Sequence, residues 1–398
     1  MKSRLRIIVT GLVGLYPVGG VAWDYLQYLI GLTRLGHDVY YYEDTWSWPY
    51  HPLQQTYTSS ANYSITFIQE FFQKYAPELN ERWCYLHLHQ NSFGMNRREF
   101  DEIANTADLF LNISGACDFP DHLSPRCIRL FLDTDPAYNQ IMLSERFSWS
   151  ENVERWCENV MAHDQHFTYA ENIAGEDCLI PKMNLKWRTT RFPVVNDLWR
   201  QVARIAPSQD APWTTVMTWN AFKGKVVYKG VEYKSKDCEF EKLIELPRYT
   251  KSHIKVAIGG IKAPLKRLTD YGWDVTDGPK STLTPLQYQE FIAQSRGEFS
   301  IAKHIYVATF SGWFSCRSAC YLASGRPVVV QDTKFSIVLP VGEGLLPFTT
   351  MEEAVGALHE AESNYARHSK AASDIAEEYF DSDKVLSQLI EDIFSSHG

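Results

Sequence analysis

The segment Ser315-Cys-Arg-Ser318 has the residue types and spacing that most directly suggest chemistry. It follows a strand-like run and a turn containing Gly312, and it opens a helix that Gly325 stops. Ser315 falls at the expected N-cap, with Arg317 and Ser318 in the first turn. The first N–H groups of a helix lack intrahelical partners and carry partial positive charge, so this end suits a diphosphate. A guanidinium placed there opposes the macrodipole, and Arg317 is expected to need a compensating anion. Taking a proton from a hydroxyl requires a carboxylate or imidazole at a cleft. Segments that follow strands in the first half of the chain supply Asp24, Asp118, Asp133 and Asp135. Asp24 and Asp118 are the candidates for the base, although each type also serves as a helix cap or turn residue. Asp133-Thr-Asp135 has a form that can hold Mg2+ or Mn2+ beside phosphates. Pro136 follows it directly and the triplet ends a parallel strand, so no metal site is expected. His163-Asp-Gln-His166 reads as a polar strand end.

These residues need elements to carry them. Leu5–Thr10 is a short β-branched run of the kind buried in parallel sheets. A glycine-rich turn from Gly11 to Gly20 follows, and Val21, Tyr25, Leu29 and Leu32 then recur at helical spacing up to Gly36. His37–Glu43 is the next strand, completing a βαβ unit. Strands are expected at Leu109–Ser114, Arg129–Asp133 and Val160–Ala162 with Thr168-Tyr169. Residues 184–210 carry Trp187, Pro193 and Pro207 and read as a linker. The alternation then starts again. Strands are expected at Thr214–Thr218, Ile254–Gly259, Phe299–Ala302 and Pro327–Val330, with helices at Asp237–Leu246, Pro285–Ser295 and Cys316–Ser324. Thr350-x-x-Glu353 is a capping box, and Lys384–Phe394 is a closing amphipathic helix. Two such series imply an α/β chain of two Rossmann-like domains facing a central cleft, with boundaries at 1–195, 196–380 and 381–398.

Composition narrows the classes. The charge balance, 39 − 48 = −9, disfavours wholesale phosphate-backbone binding and leaves room for a local basic pocket. Eight cysteines show no CxxC pair, as expected of reduced thiols in a cytoplasmic protein. The basic, apolar N-terminus resembles a signal peptide, but its glycines and the βαβ unit it begins argue for a retained strand. No run is long and apolar enough for a membrane span.

The pattern Gly312-Trp-x-Ser315, a short helix, then Ser324-Gly-Arg-Pro-Val-Val329 resembles the nucleotide-sugar site of GT-B glycosyltransferases. The turn Pro17-Val-Gly-Gly-Val-Ala-Trp-Asp24 is similar to that family's N-terminal glycine loop, which places Gly19 and Gly20 facing the donor. The resemblance implies a metal-independent transferase with no cofactor beyond a nucleoside-diphosphate sugar as co-substrate. The donor is then held by the second domain and an acceptor by the first, with the closing helix returning across the interface. It also implies a basic clamp from the loop containing Lys223, Lys225, Lys229, Lys234 and Lys236, with Lys236 first and Lys229 second. Asp24 falls where inverting relatives place their base or its partner. The chain departs from the family where Phe310 and Ser311 replace a histidine before Gly-Trp. The helical acid that holds the donor ribose is also missing, since no Asp or Glu occurs from 299 to 331. Asp332 and Glu343 are the nearest substitutes. Three other readings stay open: a GT-B-fold epimerase or hydrolase, an NAD(P)-dependent oxidoreductase prompted by Thr10-Gly-Leu-Val-Gly14, and a non-catalytic sugar or nucleotide binder. No Tyr-x-x-x-Lys supports the oxidoreductase. Trp46, Trp48 and Tyr50 would serve any sugar binder by stacking.

Overall fold

The computed structural model describes residues 4–145, 151–219, 226–260 and 263–395. In the first half, β1 (Arg6–Thr10), β2 (Asp38–Thr45), β3 (Trp83–His87), β4 (Asn91–Gly94), β5 (Leu109–Ile113), β6 (Ile128–Asp133), β7 (Gln165–Thr168) and β8 (Trp187–Thr189) form one sheet. Its order is β8-β7-β6-β5-β1-β2-β3-β4, parallel except at the last pair. In the second half, β9 (Trp213–Thr218), β10 (Ile254–Gly259), β11 (Asp274–Asp277), β12 (Gly297–Ser300), β13 (Val328–Gln331) and β14 (Leu345–Phe348) form another. That order is β11-β10-β9-β12-β13-β14, all parallel. Ile7-Ile-Val9 and Val328-Val-Val330 are apolar on both faces and buried, as strands covered by helices on both sides must be.

Several expectations need correction. Val160–Ala162 is not a strand. The helix Glu151–Met161 ends there, and Cys157 and Val160 share its buried face at a spacing of three. The expected linker holds β8 and the helix Asn196–Val202. β8 has only three residues and lies at a sheet edge, so its periodicity is too short to read. β3, β4, β11 and β14 are not among the expected strands. β11 is half-buried with an Asp at each end, and β14 contains Pro347, which an edge strand tolerates. Among the described residues, no helix is long and apolar enough to cross a membrane.

Four helices join the two halves: α1 (Gly19–Arg34), α2 (Pro285–Ala293), α3 (Cys316–Ala323) and α4 (Ser382–Ser395). Trp23 on α1 donates Nε1–H to the Pro285 carbonyl (2.9 Å), and Gln27 donates Nε2–H to Cys320 Sγ on α3 (3.7 Å). α4 lies along α1, where Gly31 lets Leu386 come so close that a Cβ would stand 2.4 Å from its Cδ1. Gly19 has the same spacing role. Its amide donates to Thr282 O (3.1 Å), and a Cβ would stand 2.3 Å from Thr284 O. Gly19→Ala is therefore expected to push the halves apart and cost about 1–3 kcal/mol, as overpacking does. Urea denaturation should show a lower midpoint at an unchanged m-value.

Candidate functional site

Each sheet reverses strand order once, the first between β1 and β5 and the second between β9 and β12. Loops leaving the carboxyl ends on either side of such a reversal diverge and leave a crevice. The two crevices face one another across a cavity of about 270 Å3. The first half contributes Gly20, Asp24 and Tyr25 from α1, Ser114 after β5, and Thr134 and Asp135 after β6. The second contributes Lys236, Tyr288, Lys303, Tyr306, Trp313, Ser315 and Arg317.

Of the residues singled out in the sequence, Gly20, Asp24, Asp135, Lys236, Ser315 and Arg317 line this cavity. Asp24 sits in the second turn of α1. Burial raises its carboxyl to about 7; Arg317 pulls it down and Asp135 pushes it further up. A carboxyl with that value is half ionised near neutrality, which suits a general base. Lys236 begins the helix Lys236–Glu241, and burial first, then Arg317 and Lys303, hold its ammonium well below its ordinary range. An incoming anion would relieve that penalty.

Arg317 differs from expectation. Its compensating anion is internal: Nε donates to Glu298 Oε1 at 2.6 Å, Nη1 to Val216 O and Nη2 to Ser300 Oγ, both at 2.7 Å. Glu298 is wholly buried on β12, one residue before the acid-free stretch noted in the sequence. A guanidinium carries five N–H donors, so two of Arg317's remain beyond these three bonds. Ser315 occupies the N-cap of α3, but its side chain makes no capping hydrogen bond.

The other candidates lie elsewhere. Gly19 spaces the two halves, as described above. Gly312 (φ +75°) turns the chain against the loop at Asn172, whose amide would lie 2.4 Å from a Cβ. Ser318 is buried with an unpaired hydroxyl beside a void of about 10 Å3, room for roughly one water. Lys229 and Gly230 form the exposed turn of a hairpin joining Val226–Tyr228 to Val231–Tyr233, with φ of 49° and 79°. Asp332 accepts from the Lys334 amide (2.9 Å) and Ser336 hydroxyl (2.6 Å), which fixes a local turn. Glu343 pairs with Arg367 (2.8 Å). Asp118 accepts from Trp46 Nε1 (2.7 Å) and from Arg155, both at Oδ2, and it is not among the residues that line the cavity. Lys223 and Lys225 lie outside the described residues. Lys234 is exposed.

Asp133 and Asp135 do not share a ligand direction. Asp133 is buried and accepts from Thr168, Gln140 and Asn139 at 2.6–2.7 Å, with burial raising its carboxyl to about 6. Asp135 turns into the cavity, toward Lys303 and Tyr306. His163 and His166 are buried among Phe131 and Trp187, and burial lowers His163 to about 3. Among the described residues, no three His, Cys, Asp or Glu side chains gather as a metal-binding group.

Sequence reasoning missed Lys303, Tyr306 and Tyr288. Lys303 lies three residues past the end of β12, so the rule that residues past parallel strand ends face the crevice would have flagged it. Tyr288 was hidden because it reads as the apolar face of an ordinary amphipathic helix.

No family model matches the chain, and no characterised protein matches it in sequence. Its three-dimensional architecture is nevertheless defined. The chain has the fold of the GT-B glycosyltransferases, two Rossmann-like domains set across a cleft. Among solved structures it is similar to an alpha-glucosyltransferase (AGT) in complex with UDP, with a TM-score of 0.58, 12% identity and coverage of 98% and 99% of the two chains. HepE of Anabaena in complex with UDP-glucose gives 0.55, 12%, 98% and 100%. The sucrose-phosphate synthase of Thermosynechococcus elongatus gives 0.52, 11%, 98% and 100%.

Proposed function

We propose that the protein is a glycosyltransferase that moves a sugar from a nucleoside-diphosphate donor, a UDP-sugar, to an acceptor hydroxyl without a metal. One observation carries this reading: a carboxyl poised near neutrality and a set of cations face one cavity at the switch points of two parallel sheets. UDP and UDP-glucose in the structural neighbours support a uridine donor. The second domain, residues 196–380, holds the donor, and residues 1–195 hold the acceptor. Asp24 takes the proton from the acceptor hydroxyl as its oxygen bonds to the anomeric carbon. The bond from that carbon to the donor phosphate breaks, and UDP leaves with the electron pair. Lys236, the remaining N–H groups of Arg317 and the first amides of α3 stabilise the charge that develops on the diphosphate.

UDP release from UDP-glucose that depends on an added hydroxyl acceptor tests the reading. Release without acceptor would indicate a hydrolase, and turnover should survive EDTA. Complete loss with EDTA and rescue by Mn2+ would move the diphosphate-binding role to Asp135. Lys236→Ala is expected to weaken UDP binding about 10- to 100-fold, the value of a charge-assisted hydrogen bond. Calorimetry in buffers of different ionisation enthalpy should show proton uptake on UDP binding to wild type at alkaline pH. Lys236→Ala should lose that uptake.

A further inference from the structure

The part of the cavity wall that the proposed donor site leaves unexplained joins Asp135 to Lys303 and Tyr306. Asp135 follows β6 in the first half, whereas Lys303 and Tyr306 follow β12 in the second. The Lys303 ammonium and the Tyr306 hydroxyl both donate to the same oxygen, Oδ1 of Asp135. Lys303 is the N-cap of the helix His304–Ala308 and Tyr306 lies in its first turn, and two such donors converging on a single anionic oxygen also suit a phosphate oxygen. Tyr306 is buried, and burial with the neighbouring Asp135 keeps its hydroxyl protonated and donating. Trp313 packs against Tyr306 with ring centroids 4.4 Å apart, and its buried Nε1–H has no hydrogen-bond partner. The carboxylate faces the open space of the cavity, while, against its desolvation, its pairing with Lys303 and Tyr306 holds it below the ordinary carboxylate range. The Asp135 side chain is 43% exposed, against 21% for Lys303.

The cavity lining carries three cations, Lys236, Lys303 and Arg317, against two carboxylates, Asp24 and Asp135. Arg317 already has Glu298 as its buried partner, so Asp135 is the anion that balances Lys303 while no ligand is bound. A diphosphate brings more charge and more acceptor oxygens than one half-exposed carboxylate, so it competes well for the same donors.

We propose that Lys303 and Tyr306 belong to the seat of the donor's diphosphate, and that Asp135 fills this seat until a nucleoside diphosphate displaces it. The inference rests on the glycosyltransferase reading and extends it with a built-in competitor for the donor. Displacement also breaks a bridge between the two halves, so donor binding exchanges a first-domain anion for a ligand anion on the same second-domain groups.

Calorimetric titration of the full chain with UDP, and separately with pyrophosphate, tests it. Asp135→Asn keeps the side-chain shape and removes the competing charge. It should tighten UDP at least fivefold, lower the Tm of the ligand-free protein and enlarge the UDP-induced rise in Tm. Lys303→Ala should weaken UDP at least tenfold. The double variant Asp135→Asn/Lys303→Ala should bind like Lys303→Ala, with the tightening gone. A merely structural bridge would lower the ligand-free Tm in Asp135→Asn and leave UDP affinity within twofold, and that result overturns the inference. So does a Lys303→Ala protein that binds UDP as wild type does. If wild type binds UDP through Lys236 and only the Asp135 effects are missing, the donor reading stands and this inference alone fails. If neither wild type nor Asp135→Asn binds UDP or pyrophosphate, both fail together.

Discussion

Arg317→Ala is expected to lower the free energy of unfolding by about 3–5 kcal/mol, the cost of removing one partner of a buried ion pair. Glu298 is fully buried, and Arg317 Nε is its hydrogen-bonded cation at 2.6 Å. Alanine leaves that carboxylate uncompensated between two strands. It also takes a donor from Val216 O and from Ser300 Oγ, each bonded at 2.7 Å. The direction is opposite to what helix-dipole reasoning on an exposed arginine gives, where removal costs nothing. The distinction is measurable by urea denaturation at pH 7. Loss of fold would obscure any binding result, so a second variant separates the two roles. Arg317→Met/Glu298→Leu removes both charges and fills similar volume, and should recover most of the lost stability. It should still show little of the UDP-induced rise in Tm. A double variant with the full rise would show that Arg317 is structural only and holds no part of the donor.

Asp24→Asn is expected to reduce turnover about 10²- to 10⁴-fold, the usual contribution of a general base, while UDP affinity changes little. The carboxyl titrates near 7, so wild-type turnover should climb with pH through that value and level off above it. The residual activity of the variant should lack this step. A stability measurement gives an independent check of the same carboxyl. Its folded value, about 7, lies above the ordinary 3.8, so the native state binds more protons than the unfolded chain between these values. Stability owed to this group is therefore full below about pH 4 and falls as the pH rises through 7. Asparagine does not titrate. The variant should match wild type near pH 4 and exceed it at pH 8 by between about 1 and 4 kcal/mol, the upper figure being three units at 1.36 kcal/mol each. Water in the cavity sets the lower figure. Glu43 and Asp133 also titrate high, at about 7 and about 6, but both are present in wild type and variant and cancel in the difference. Equal stability at pH 8 would show that Asp24 is ionised and solvated at that pH and is no poised base.

What the sequence determined by itself was local. The β-branched runs that became β1, β10 and β13, the helix opened by the turn at Gly312, and the glycine loop leading into α1 follow from periodicity and turn chemistry. Position in that alternation was enough to bring Asp24 and Arg317 forward, because residues past parallel strand ends and at helix starts line the crevice of such sheets, whereas Lys236 came forward only through the resemblance to the GT-B glycosyltransferases. The partners of those residues belong to tertiary structure. Glu298 lies 19 residues from Arg317 in the chain, and Asp135 lies 168 from Lys303. Which strand ends become neighbours depends on sheet order and on how the two halves face each other, and neither quantity has a period to read. The same packing decided that Lys229 would turn a solvent-exposed hairpin while Lys236, seven residues on, would face the cavity. It also raised Asp24 to about 7, because the burial responsible is built by side chains from both halves of the chain and exists only once they close on one another.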